Sequence, residues 1–181
     1  MKKLCLLMLA ACMCMPYPLL SQDLSQQKLV SFTSADGKFT AKFPGKVNTS
    51  KRTAKTELGD IQITLNVVGI GNDVAFIVSY NDYPAAVKNN DPKQMLEGVR
   101  NGNVGKDGEL QKDEAFTFKF GQEQLPGRKV LISKPGGAKM RNMMILRGNR
   151  LYQIMFVGTQ EHLDKNAKMI EEYFESFQLN K

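Results

Sequence analysis

"GNRLYQIMFVGTQEHLDKNAKMIEEYFESFQL" (residues 148–179) changes hydrophobic period part-way along. Gly148-Asn149 suits a two-residue turn, so Lys139–Arg147 and Arg150–Val157 are expected to pair as a hairpin. After a short polar loop, Leu163, Ala167, Ile170, Phe174 and Phe177 recur at helical spacing, with Lys165, Lys168, Glu171, Glu172 and Glu175 mostly opposite. A helical stripe carrying two phenylalanines needs a broad apolar surface to dock on. The stretch therefore predicts an antiparallel sheet with an amphipathic helix lying across it.

The upstream chain supplies the sheet. Phe39, Ala41 and Phe43 alternate with Lys38, Thr40 and Lys42, which is the pattern of a half-buried strand. Asp36-Gly37 signals a hairpin that pairs this strand with Leu29–Ser34, and Pro44-Gly45 stops it. Lys46–Leu58 is polar and basic and reads as an exposed loop. Ile61, Ile63, Leu65 and Val67 alternate next, then a Gly71-Asn72-Asp73 turn leads to Val74, Phe76, Val78 and Tyr80. Asp91 as cap, Pro92 at the first helical position and Gln94 as a variant capping box open a helix whose apolar face is Met95, Leu96 and Val99. Gly98, Gly102, Gly105 and Gly108 are expected to fray it into a mobile loop, a lid if a pocket lies beneath. Strands resume with Phe116, Phe118 and Phe120, then Arg128–Ser133. About four strands, a helix, about four strands and a helix make an α+β domain over residues 29–181. The expected architecture is an antiparallel sheet of about six to eight strands with two main helices packed on it.

The closing stretch resembles the end of PsbP-type domains, with its Leu-Tyr pair in a strand, its short polar loop and its helix closing on Ser-Phe. "DGKFTAKFPGKV" (residues 36–47) is similar to the opening hairpin of the same superfamily. The resemblance implies the fold shared by PsbP, the Ran-binding Mog family and bacterial DcrB-like lipoproteins. It also implies a binding or accessory role in place of an enzymatic one. The matching motifs are structural, so no functional residue carries over.

The beginning of the chain reads as an address. Lys2 and Lys3 precede an apolar run, Leu4–Met15, which is short of the about 20 residues that span a bilayer. It has the length of the core of a secretory signal. Residues 1–21 are expected to be a signal peptide, lipoprotein-type or ordinary, and residues 22–28 a flexible spacer. Leu9-Ala10-Ala11-Cys12 resembles a bacterial lipobox, with Cys12 as the lipidated residue; the alternative is cleavage after Ser21. All three cysteines, Cys5, Cys12 and Cys14, lie in this leader, so the exported domain is expected to rely on its hydrophobic core. The expected location is periplasmic, lipid-anchored in the envelope, or secreted.

Composition narrows the partners. The net charge is +7, of which Lys2 and Lys3 contribute two, and the cations are spread along the chain. An envelope protein or complex, or an anionic membrane surface, fits this balance better than nucleic acid. Arg128, Lys129, Lys139, Arg141, Arg147 and Arg150 cluster around the late hairpins as a candidate binding surface. The other reading of these cations is a solvated surface that guards an edge strand.

Catalytic and metal-binding patterns are weak. His162 is the only histidine; Asp164 stands near it and no third ligand is evident. "GIGND" (69–73) lies between strands and "GNVGKDG" (102–108) follows a helix, so neither has the setting of a phosphate loop. Strand alternation splits "MRNMMIL" (140–146), with Met140 and Met144 on one face and Met143 on the other, against a copper site. No metal or cofactor is expected. The function expected is a non-catalytic binding domain; the rivals are a carrier whose apolar pocket is lined by Met95, the phenylalanines and the late methionines, and an enzyme of unrecognised type.

Overall fold

The computed structural model describes Leu24 and residues 27–56, 59–85 and 90–181. The described residues form two antiparallel sheets and three α-helices. Strands β1 (Val30–Ser34) and β2 (Phe39–Phe43) form the predicted opening hairpin, with Ser34 opposite Phe39. β3 (Asn48–Thr56), β4 (Gly59–Ile70) and β5 (Val74–Asp82) make a meander, and α1 spans Pro92–Val104. β6 (Glu109–Phe120), β7 (Glu123–Ser133), β8 (Ala138–Arg147) and β9 (Arg150–Thr159) follow as consecutive hairpins. α2 (Gln160–Lys165), α3 (Ala167–Glu175) and β10 (Gln178–Leu179) close the chain. The large sheet has the order β3-β4-β5-β9-β8-β7-β6, and the small one β1-β2-β10.

Side-chain alternation explains the layering. Leu151 on β9, Met144 and Leu146 on β8, and Val130 and Ile132 on β7 point to one face, where Leu96 of α1 packs on them. Tyr152, Ile154, Phe156, Phe76 and Val78 point to the other face. That face receives α3 through Ile170, Tyr173 and Phe174, and the small sheet through Phe39 and Phe43. Two buried hydroxyls tie the layers: Tyr152 donates to the Gly37 carbonyl at 2.9 Å and Tyr173 to the Ile77 carbonyl at 2.8 Å.

Four local expectations change. Lys46–Leu58 is mostly not a loop, since Asn48–Thr56 is the edge strand β3, paired to β4 along its length. Its residues are nearly all exposed, so it lacks the apolar alternation that marks a strand. α1 does not fray at Gly98 or Gly102 but runs to Val104 and stops at Gly105. The ammonium of Lys134 donates to the terminal carbonyls of Asn103 and Val104, supplying partners that the helix end lacks. The closing helix breaks at Asn166, whose side-chain amide donates to the His162 carbonyl at 3.0 Å and competes with the helical ladder. Within the segment read as a spacer, Leu24 is buried in the core. Residues 1–21, read as a signal peptide, and Cys12 among them lie outside the described residues. No helix among the described residues is long and apolar enough to cross a membrane.

Candidate functional site

Between α3 and the β6–β8 wing of the large sheet lies a cleft of about 180 Å3. Its apolar wall is made by Phe116 and Phe118 of β6, Met143 of β8, Phe174 of α3 and Phe177 just after it. Gly127 lets Phe116 lie flat on β7, because a Cβ there would stand 2.5 Å from the ring and 3.0 Å from the Met144 carbonyl. The rim is charged on both sides: Lys129 and Arg141 rise from the sheet, and Glu171 and Glu175 from the helix. The Lys129 ammonium sits 5.1 Å from the Phe116 ring centre. The Arg141 guanidinium stacks 4.5 Å over Phe174 and pairs with Glu171 at 2.6 Å. No ion pair engages Lys129 among the described residues, so one rim cation stands outside any ion pair.

The six cations singled out in the sequence are not one patch. Lys129 and Arg141 meet at the cleft. Arg147 shares their face but stacks 4.3 Å over Phe120 and pairs with Glu123. Arg150 lies 5.1 Å from the Tyr80 ring centre, and its bidentate pair with Asp82 raises its pKa further. Arg128 alternates to the α1 face, where it is buried between Asp113 (2.5 Å) and Glu97 (3.2 Å). Lys139 bonds Gln111 and Ser133.

Asp113 also receives Arg100 at 2.5 Å. Desolvation pushes its carboxyl upward, but the bonds and charges of Arg100 and Arg128 outweigh that and hold it below its ordinary value of 3.8. A depressed folded-state pKa stabilises above the unfolded value, and that contribution disappears as pH falls through the folded value. Asp113→Asn is therefore expected to flatten the loss of stability between pH of about 4 and the acid limit. Urea midpoints measured across that range check it.

The candidate chemistry of the sequence is occupied structurally. His162 closes a capping box with Thr159: its backbone N–H donates to Thr159 Oγ1 at 3.2 Å, and its Nδ1 faces the Thr159 N–H at 3.3 Å. Asp164 turns away to accept from Gln160 at 2.9 Å. Gly71–Asp73 is the turn between β4 and β5, and Gly105 ends α1. No group of three residues able to hold a metal ion stands among the described residues.

No protein-family model matches the chain, and no curated protein matches its sequence. The solution structure of cyanobacterial PsbP (CyanoP) from Synechocystis sp. PCC 6803 does match in fold. It has a TM-score of 0.54 over 83 % of this chain and 92 % of that one, at 11 % identity. The fold is PsbP-like. A second likeness, to PA94 from Pseudomonas aeruginosa, a protein of unknown function, is looser: TM-score 0.42 and 9 % identity over 82 % of this chain and 94 % of that one.

Within this PsbP-like fold the motifs behind the sequence resemblance take structural places. Leu151 and Tyr152 divide between the two faces of the large sheet, and Ser176 accepts the Lys42 N–H at 2.8 Å. The sequence left the cleft unassembled. The phenylalanines of β6 and the cations of β7 and β8 were both legible, but nothing local shows that Lys129 lies over Phe116 or Arg141 over Phe174.

Proposed function

We propose that this chain is an exported, non-catalytic binding domain of the bacterial cell envelope that works by protein–protein contact through the cleft under α3. The observation that supports it most is the cleft's make-up: four phenylalanines and a methionine below, with Lys129 and Arg141 at the rim. An apolar pocket ringed by charge accepts one anchoring side chain from a partner, in the manner of interface hot spots. Its volume, about 180 Å3, lies below the about 300–1,000 Å3 of small-molecule sites. A carrier built from Met95, the phenylalanines and the late methionines is less favoured, because the sheet separates them. Met95, Met140 and Met144 pack on the α1 face, whereas Phe116, Phe118 and Met143 lie on the other. The export signal read in residues 1–21 supports the envelope as the place of action.

Lys129→Glu combined with Arg141→Glu tests this reading. Both side chains stand at the rim, so the fold is expected to be retained, with a loss of about 1 kcal/mol from the Arg141–Glu171 pair. Recovery of the envelope partner with the purified protein is expected to fall at least about tenfold, which is about 1.4 kcal/mol of contact energy. Unchanged recovery with the fold intact contradicts the cleft as the contact.

A further inference from the structure

The positive charge of this protein is concentrated in one short part of it. From Lys28 to Lys55 the chain carries seven cations against one acid, Asp36. From Gly59 to Lys181 it carries sixteen cations against fifteen acids, close to neutral. All seven early cations are exposed, and none forms an ion pair among the described residues. Every arginine from Arg100 to Arg150, by contrast, sits in an ion pair. Lys28 and Lys42 stand beside Glu172 and Glu175 of α3, which offset them. Lys46 precedes β3, and Lys51, Arg52 and Lys55 lie along it; the nearest acid in register is Asp60, opposite Lys55. Charge of either sign guards an edge strand against stray pairing. β6, the other edge of the large sheet, mixes the signs, with Lys112, Asp113, Glu114 and Lys119. The single sign on β3 therefore asks for a further cause.

We infer that the β3 edge rests on a bilayer surface rich in anionic lipid, with Lys46, Lys51, Arg52 and Lys55 against the headgroup phosphates. Lys51 and Lys55 share the face of the sheet that bears Thr64 and Val68, the side on which the small sheet packs. Lys42 points outward from that small sheet, because Ala41 and Phe43 on either side of it are buried. Arg52 alternates to the opposite face of the same rim. Among the described residues β3 has a strand on one side only, so this row of cations follows an open rim. The residues between them, Asn48, Thr49, Ser50 and Thr53, are exposed and polar and offer no apolar anchor. Protein contacts draw most of their energy from such anchors, whereas attraction to an anionic bilayer needs charge alone. That difference favours lipid over an acidic protein. Residues 1–21, read as an export leader, also enter the domain just ahead of this cationic part. The contact is separate from the cleft, whose rim residues belong to β7, β8 and α3.

Partition of the purified protein into vesicles tests the inference, with phosphatidylcholine alone compared against phosphatidylcholine containing increasing phosphatidylglycerol. An acyl anchor inserts into both kinds of vesicle, so the difference between them reads the charge. Binding is expected to strengthen with the phosphatidylglycerol fraction and to weaken as salt rises. Each basic residue near such a surface contributes about fivefold in affinity. Lys51→Glu with Arg52→Glu and Lys55→Glu is therefore expected to weaken binding about a hundredfold. Lys93→Glu with Lys106→Glu and Lys112→Glu makes the same change of charge at exposed positions elsewhere, and is expected to retain most of the binding. Far-UV circular dichroism and thermal unfolding confirm that both variants keep the fold. Absence of any preference for phosphatidylglycerol overturns the inference. So does an equal loss in the two variants, which assigns the effect to net charge and not to the β3 edge. Capture of an acidic protein that the first variant loses, without a vesicle preference, overturns it as well.

Discussion

Replacing Phe177 with alanine is expected to lower stability by about 3–5 kcal/mol. Phe177 is 3 % exposed and lies outside α3, where a change leaves helix propensity untouched. Its ring stacks on Phe39 at 5.6 Å, lies tilted against Tyr152 at 5.8 Å and meets Phe118 edge-on at 6.1 Å, measured between ring centres. Those three rings belong to the small sheet, the centre of the large sheet and its β6 wing. Each is fixed by its own strand register, so none can move far into the vacated space, and the cavity term adds to the lost burial. Urea unfolding reads the change as a lower midpoint at unchanged slope. A loss below about 1 kcal/mol would mean that the layers do not meet on this ring. The same substitution deepens the cleft, so it is also expected to weaken partner contact while leaving Lys129 and Arg141 in place.

Tyr173 is the second position of large effect. It is fully buried, with ring centres 5.1 Å from Phe76, 5.5 Å from Phe43 and 5.3 Å from Phe174. Tyr173→Ala is expected to cost about 3–5 kcal/mol, again with cavity and burial terms together. Tyr173→Phe keeps the ring and removes the hydroxyl with its bond to the Ile77 carbonyl, for an expected loss of about 1 kcal/mol. The hydroxyl also leaves a signature in alkali. Burial pushes its pKa well above the ordinary 10.0, against a smaller opposing effect of the backbone bonds at Ile77 and Met155. The unfolded chain therefore ionises first, and this stabilisation is full below 10.0 and shrinks as pH rises beyond it. Tyr173→Phe is expected to lose less stability than the wild type over that alkaline range, although Tyr152, whose pKa burial also raises, keeps part of the dependence. Equal alkaline losses in the two proteins would place the titrating group elsewhere.

These two residues also mark how far the sequence could be read. The helical stripe ending in Phe174 and Phe177, the hairpin at Gly148-Asn149 and the alternation of β2, β4 and β5 are local periodicities, and the α+β sandwich follows from them. β3 escaped because an edge strand exposed on both faces has no apolar period to detect. The persistence of α1 through two glycines escaped because its carbonyl end is satisfied by Lys134, thirty residues downstream. The cleft was legible only in parts. Alternation places Lys129 and Arg141 on one face and Arg128 on the other, yet their neighbours in sequence invited a single basic patch. What separates them is register: Arg128 faces Met144 and Lys129 faces Met143, so successive cations emerge on opposite sides of the sheet. Cation stacking on Phe116, Phe120, Phe174 and Tyr80 joins elements far apart in the chain, and no short window of sequence contains both partners.

The contact proposed between this domain and another protein lies at the cleft under α3. Its most direct test is a photo-crosslinking amino acid placed at Lys129 in the native host, with Lys51 on the β3 edge as the reference position. A discrete protein adduct at Lys129 that is absent at Lys51 is the result predicted. Adducts to lipid alone, or the same adducts from both positions, would contradict it.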